Sequence, residues 1–131
     1  MIGLDTNVVI RFVMQDDAKQ SPMATRIVDA LTAEQPGYLT LVTIVEIVWV
    51  LSGSYDLERP QIAMALEGLL RAPEIVVEQA ETVWQALRLF KGSKADFADC
   101  LIERSAAAAG CARTLTFDVS AAKHCGMVLA A

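Results

Sequence analysis

Four carboxylates, Asp5, Glu46, Asp99 and Asp118, stand in or directly after apolar runs that give an acid little reason to be there. Asp5 closes Ile2-Gly3-Leu4 and Asp118 closes the run from Arg113 to Phe117. Both are therefore expected at the carboxyl ends of strands, the edge where open parallel α/β sheets bind ligands. Glu46 interrupts Leu41 to Leu51, and Asp99 interrupts Phe97 to Ile102, stretches that otherwise read as core. Carboxylates in such surroundings persist only when paired, hydrogen-bonded or bound to metal. If the four converge on one crevice, a cation must hold them there, and hard oxygen donors without cysteine or histidine select Mg2+ or Mn2+. Such an ion polarises a phosphoryl oxygen and generates hydroxide from bound water, which is the chemistry of phosphodiester hydrolysis.

Each acid also has a plainer reading. Asp5 or Thr6 can cap a helix beginning at Asn7. Thr43-x-x-Glu46 and Ser93-x-x-Asp96 both fit a capping box, the favoured reading for Asp96. Asp118 can cap a short helix from Val119. Asp99 has no capping alternative: it is expected about one turn inside its helix, on one face with Asp96 and Glu103. Like charges at that spacing cost about 0.2–0.5 kcal/mol per pair, a penalty that a bound cation reverses. Capping and metal binding are compatible, because a first-turn carboxylate also faces the sheet edge.

The elements that must position these acids alternate. Strand 2–5 leads to a helix over about 6–14, and Ser21-Pro22 caps a second helix to about Glu34. Pro36-Gly37 turns into a strand from Tyr38 to Leu41, and Thr43 opens a helix to about Ser52. Pro60 starts another to Leu70, Glu74 to Val77 reads as a strand, and a helix follows over about 79–91. The helix after Ser93 runs to Gly110; strand 113–117, a short helix from Val119 to His124 and strand-like Met127 to Leu129 complete the chain. Strands alternating with helices predict the α/β class, a parallel sheet covered on both faces.

With 131 residues and 54% hydrophobic composition, the chain suits one well-filled core, a single domain over 1–131. The longest apolar stretch, Leu41 to Leu51, is about half the roughly 20 residues of a membrane span. The first residues have no signal-peptide pattern. Cys100, Cys111 and Cys125 are odd in number and lack a Cys-x-x-Cys pair, so free thiols in a reducing, cytoplasmic setting are expected. A zinc chelate from Cys111, His124 and Cys125 has no fourth ligand at a suitable spacing. A net charge of −5 argues against long nucleic acid held on a general basic surface, although a divalent ion in an acidic pocket inverts the local field. Arg11, Arg88, Lys91 and Lys94 could meet a nucleic-acid backbone or simply form solvated helix faces.

Taken together, Ile2 to Arg11 with Gln15-Asp16-Asp17, Val45 to Leu51 leading into Tyr55-Asp56-Leu57, Ala95 to Ile102, and Thr114 to Asp118 resemble the PIN-domain nucleases. More narrowly they resemble the toxin component of VapBC-type toxin-antitoxin pairs, and the resemblance spans essentially the whole chain. It implies a single PIN-like domain with a parallel central sheet of four to five strands flanked by helices. It also implies Mg2+- or Mn2+-dependent endoribonuclease activity, with Asp5, Glu46, Asp99 and Asp118 as the catalytic acids. Asp5 and Asp99 would bind the metal directly, Glu46 and Asp118 would act through water or complete the site, and Asp96 would stand at the rim. Thr6 and Thr116 match small hydroxyl positions that orient water or an acid. The implied partners are an RNA substrate, a second copy in a homodimer, and a VapB-like antitoxin whose C-terminal segment occupies the pocket or a nearby groove. An arginine of that segment would compete for the carboxylates.

Other functions fit less well. A haloacid-dehalogenase-type phosphotransferase needs a second acid two residues after the first, where Asn7 stands. A phosphoacceptor receiver needs an aspartate ending a central strand, and the strand at Ile75 to Val77 ends in none. A stand-alone RNA-processing nuclease of the same fold, or a non-cleaving RNA- or partner-binding relative, stays open.

Overall fold

In the computed structural model, which describes residues 1–131, strands of two or three residues alternate with helices. The chain gathers into two compact units, Met1–Glu78 and Gln79–Ala131.

The first unit contains β1 (Ile2–Gly3), α1 (Thr6–Met14), α2 (Gln20–Asp29), β2 (Gly37–Leu39), α3 (Leu41–Gly53), α4 (Arg59–Arg71) and β3 (Ile75–Val77). Its strands form a parallel sheet in the order β1-β2-β3, with Ile2 opposite Gly37 and Gly37 opposite Ile75. Helical spacing of apolar residues buries Val9 and Ile10 of α1, Ile44, Ile47 and Leu51 of α3, and Ile62, Leu66 and Leu69 of α4 with Leu4, Leu39 and Val77. At Gly37 an added Cβ would lie 2.8 Å from Leu4 Cδ1 and 3.0 Å from Leu31 Cδ1. Packed carbons sit roughly 3.5–4.0 Å apart, so only glycine leaves both leucines in place. Because of this register, Asp5, Thr40 and Glu78 each follow their strand at the same carboxyl edge.

The second unit contains α5 (Ala80–Gly92), α6 (Phe97–Ala108), β4 (Leu115–Thr116), α7 (Val119–His124) and β5 (Val128–Leu129). α5 and α6 pack closely, with the Phe90 and Phe97 rings edge to face at 5.8 Å. Strands β4 and β5 pair in parallel, Leu115 opposite Val128. α6 stops at Gly110, whose φ of 98° suits glycine, while the amides of Gly110 and Cys111 close back on Ala107 and Ala106.

The architecture is thus α/β, with a parallel strand core flanked by helices. The five strands divide into sheets of three and two. Several expected boundaries move. α2 ends at Asp29 rather than near Glu34, because Thr32 Oγ1 accepts from the Gln35 amide in a turn that reverses the chain. It also begins at Gln20, with Asp17 Oδ1 accepting from the amides of Lys19 and Gln20 in place of a Ser21 cap. α3 begins at Leu41 rather than Thr43, since Thr40 takes the cap position. No helix is long and apolar enough to cross a membrane.

Candidate functional site

Asp5 reaches its position because β1 ends two residues before it, at Gly3, and its Oδ1 accepts from the amide of Thr6 at 2.8 Å as the N-cap of α1. Thr6 is buried, and its hydroxyl donates to Glu46 Oε1 at 2.8 Å. One threonine therefore ties the start of α1 to the second turn of α3, linking Asp5 and Glu46. The expected capping box at Thr43 is not formed. Thr40 Oγ1 accepts from the Thr43 amide at 3.1 Å, which places Glu46 beyond the first turn and leaves its carboxylate to Thr6.

In the second unit, Asp96 is itself the N-cap of α6, its Oδ1 accepting from the Ala98 amide at 3.2 Å. Ser93 instead ends α5, donating to the Leu89 carbonyl at 2.7 Å. With α6 starting at Phe97, Asp99 falls in the first turn, nearer the helix start than its expected place. Asp118 caps α7 through its Oδ1 and the Ala121 amide at 3.1 Å, while the Asp118 amide donates to Thr116 Oγ1 at 3.0 Å. The capping readings of Asp5 and Asp118 therefore hold, whereas Asp96 caps α6 directly and not from within a Ser93 capping box, and each bond described uses only one carboxylate oxygen.

Electrostatics single out Asp99. Burial, then the negative charges of Asp96 and Asp118, push its carboxyl above the usual range, and every one of these influences raises it. Two carboxylates of the second unit thus act on a third. Glu103, expected on the same helix face, is not among them. It is the buried carboxylate of the chain, 9% exposed, and forks onto the Arg104 guanidinium at 2.6 and 3.0 Å.

The acids are also less buried than their apolar neighbours suggested. Asp5, Glu46, Asp96 and Asp118 are exposed and Asp99 half-buried, because each lies at or near a helix start rather than inside a packed face. The donor chemistry suits a hard divalent ion: oxygen donors only, with Asp99 raised by burial and then by like charges, and countered by no cationic side chain. No three of the protein's histidine, cysteine, aspartate and glutamate side chains are already grouped so as to hold a metal ion.

Of the expected basic residues, Arg11 is engaged by Gln20, Asp16 and Tyr55, and Arg88 makes a loose 3.7 Å ion pair with Glu81. Tyr55 donates to Asp16 at 2.7 Å and holds that carboxyl below its usual range, bracing the end of α1 against the turn after α3. A shallow apolar groove of about 180 Å3 runs between α1 and α2, lined by Asn7, Val8, Met23 and Ile27 among others. The sequence reading passed over Glu78. Its Oε1 accepts from the Leu41 amide at 2.9 Å, capping α3 from the end of β3. An acid directly after a strand was the signal that identified Asp5, and it was available at Glu78 too.

The family model described as the PIN domain matches residues 2–126, a span that takes in all four acids and both units. Among curated proteins and among solved structures, none matches the chain.

Proposed function

Because the chain belongs to the PIN-domain family, we propose that it is a Mg2+- or Mn2+-dependent endoribonuclease hydrolysing RNA phosphodiester bonds, the toxin of a VapBC-type toxin-antitoxin pair. The observation that carries the nuclease reading is Asp99, a half-buried carboxylate raised first by burial and then by two like charges, without a countering cation. Such an arrangement costs the metal-free protein stability and gains its purpose when a cation binds.

In this reading Asp5 and Asp99 hold the ion, and Glu46 and Asp118 complete the site. When bound, the ion polarises the phosphoryl oxygen and lowers the pKa of water. Glu46 Oε1 is fixed by the Thr6 hydroxyl, which leaves Oε2 to orient the attacking water and take its proton. Asp118 is fixed through Oδ1 by the Ala121 amide and through its own amide by Thr116, leaving Oδ2 for the site. Asp96 serves α6 as its cap and stands at the rim.

The proposed partners follow the same reading. The groove between α1 and α2 offers an apolar seat for an antitoxin segment. Val42, Trp49 and Met64 are each more than 70% exposed on α3 and α4, which supports a face covered by a second copy in a cytoplasmic homodimer. The nuclease is tested by incubating the purified protein and a pool of structured RNAs with Mg2+, with Mn2+ and with chelator. Discrete fragments that require metal are expected. Intact RNA beside folded, metal-binding protein would replace cleavage with a binding role. Co-expression with the product of an adjacent small reading frame tests the pairing. Inhibition that persists when every arginine in that product's C-terminal half is replaced would remove carboxylate competition as the route.

A further inference from the structure

Two thiols of the second unit stand ready for a reaction that hydrolysis does not use. Cys100 follows Asp99 in the first turn of α6, and Cys125 caps the C-terminus of α7, the helix that Asp118 opens. Their sulfurs are 3.6 Å apart, and the Cys100 thiol donates to Cys125. Neither residue is in a disulfide, and both are buried, at 0% and 1% exposure. Burial alone would make them inert packing. Cys125, however, also lines a cleft of about 540 Å3 with Gln85, Arg88, Arg104 and Gly126. A water molecule takes about 30 Å3 of liquid volume, so a small hydroperoxide fits in the cleft beside Cys125.

We propose that Cys100 and Cys125 form an oxidation site, at which a hydroperoxide entering this cleft converts the pair to a disulfide joining α6 to the end of α7. With hydrogen peroxide, the Cys125 sulfur attacks one oxygen. The O–O bond breaks, a sulfenic acid forms, and the other oxygen leaves as water with the thiol's proton. The Cys100 sulfur then attacks the Cys125 sulfur. The S–O bond breaks, the S–S bond forms, and a second water leaves with the proton of Cys100. Two thiols lose two electrons in total, and one peroxide is reduced to two waters. A disulfide is close to 2.05 Å long, so the sulfurs must approach by about 1.5 Å. The elements that move carry Asp99 and Asp118. A displacement of about 1 Å in a catalytic constellation can cost 10²-fold in rate, so oxidation would also silence the nuclease, a consequence that rests on the proposed function.

The test uses the full chain carrying Cys111→Ser, which removes the exposed third thiol and with it bridging between molecules. The protein is held with hydrogen peroxide for hours, its remaining thiols are alkylated, and it is digested with trypsin. The peptide Ala95–Arg104 is expected joined to His124–Ala131, lighter by two hydrogens and separated by dithiothreitol. Linkage should vanish with Cys100→Ser and with Cys125→Ala. Both cysteines recovered alkylated, or oxidised singly without linkage, would overturn the site whatever the RNA assay shows. RNA cleavage measured on the same samples should fall at least about tenfold on oxidation and return on reduction. Linkage in a protein that never cleaves RNA would sustain the site and sink the nuclease reading; linkage with undiminished cleavage would overturn the silencing.

Discussion

Asp99 lowers the stability of the metal-free protein, and its pH dependence exposes this. Burial first, then Asp96 and Asp118, raise its carboxyl above the unfolded value of 3.8. Between that value and the raised one the folded state binds more proton than the unfolded state, so stability falls as pH rises through the window. Above the window the cost is complete. Asp99→Asn should therefore melt higher than wild type at neutral pH without metal, and the gap should close in acid, as thermal melts across pH would reveal. The same substitution should abolish metal-dependent cleavage. Thr6 gives a second prediction at this scale. Thr6→Val removes the donor to Glu46 Oε1 and should cost about 1 kcal/mol of stability, whereas Thr6→Ser keeps it. Cleavage should fall at least about tenfold in the valine variant, since Glu46 loses its orientation, and recover in the serine variant. Equal rates in the two would show that Thr6 does not position Glu46.

At the scale of elements, helix starts organise the acids. Asp5, Asp96 and Asp118 each cap a helix, and asparagine caps about as well as aspartate while alanine costs about 1 kcal/mol. Asp96→Asn should thus leave both melting temperature and most of the activity in place, while Asp96→Ala lowers the melting temperature. Loss of metal binding in Asp96→Asn with retention in Asp99→Asn would reverse the roles assigned to these two residues. Much of this arrangement was legible from residue order, because an acid after an apolar run marks a strand end and a polar residue before a periodic run marks a cap. Cap assignment was the weak step. Thr40 and Thr43 both precede apolar runs, and only the backbone geometry of the β2 end selects Thr40. The pairing of Glu103 was not legible for another reason. Its carboxylate pairs with the adjacent Arg104, a neighbour that helical spacing does not bring to the same face. The split into two sheets was likewise not legible, because strands of two or three residues carry too little periodicity to state their partners.

For the molecule as a whole, a net charge of −5 means that the proposed function needs a divalent ion to bridge an acidic protein and a polyanionic substrate. Saturating Mn2+ should raise the melting temperature of wild type by several degrees, as for any ligand that binds only the folded state, and should leave Asp99→Asn nearly unmoved. Trp49→Glu puts charge on the exposed apolar face of α3 and should shift the protein from dimer to monomer in light scattering, without unfolding it. A wild type already of monomer mass would remove the proposed dimer, and a dimer unchanged by the substitution would move its interface off this face. The most direct test of the central claim is a side-by-side cleavage assay of Asp5→Asn, Glu46→Gln, Asp99→Asn and Asp118→Asn on one RNA pool with Mn2+, each variant first checked for a native melt. The account predicts folded proteins that have each lost at least about 10²-fold of the metal-dependent rate. Wild-type rates in folded Asp5→Asn and Asp99→Asn would contradict it, because the two acids assigned to the ion would then be dispensable.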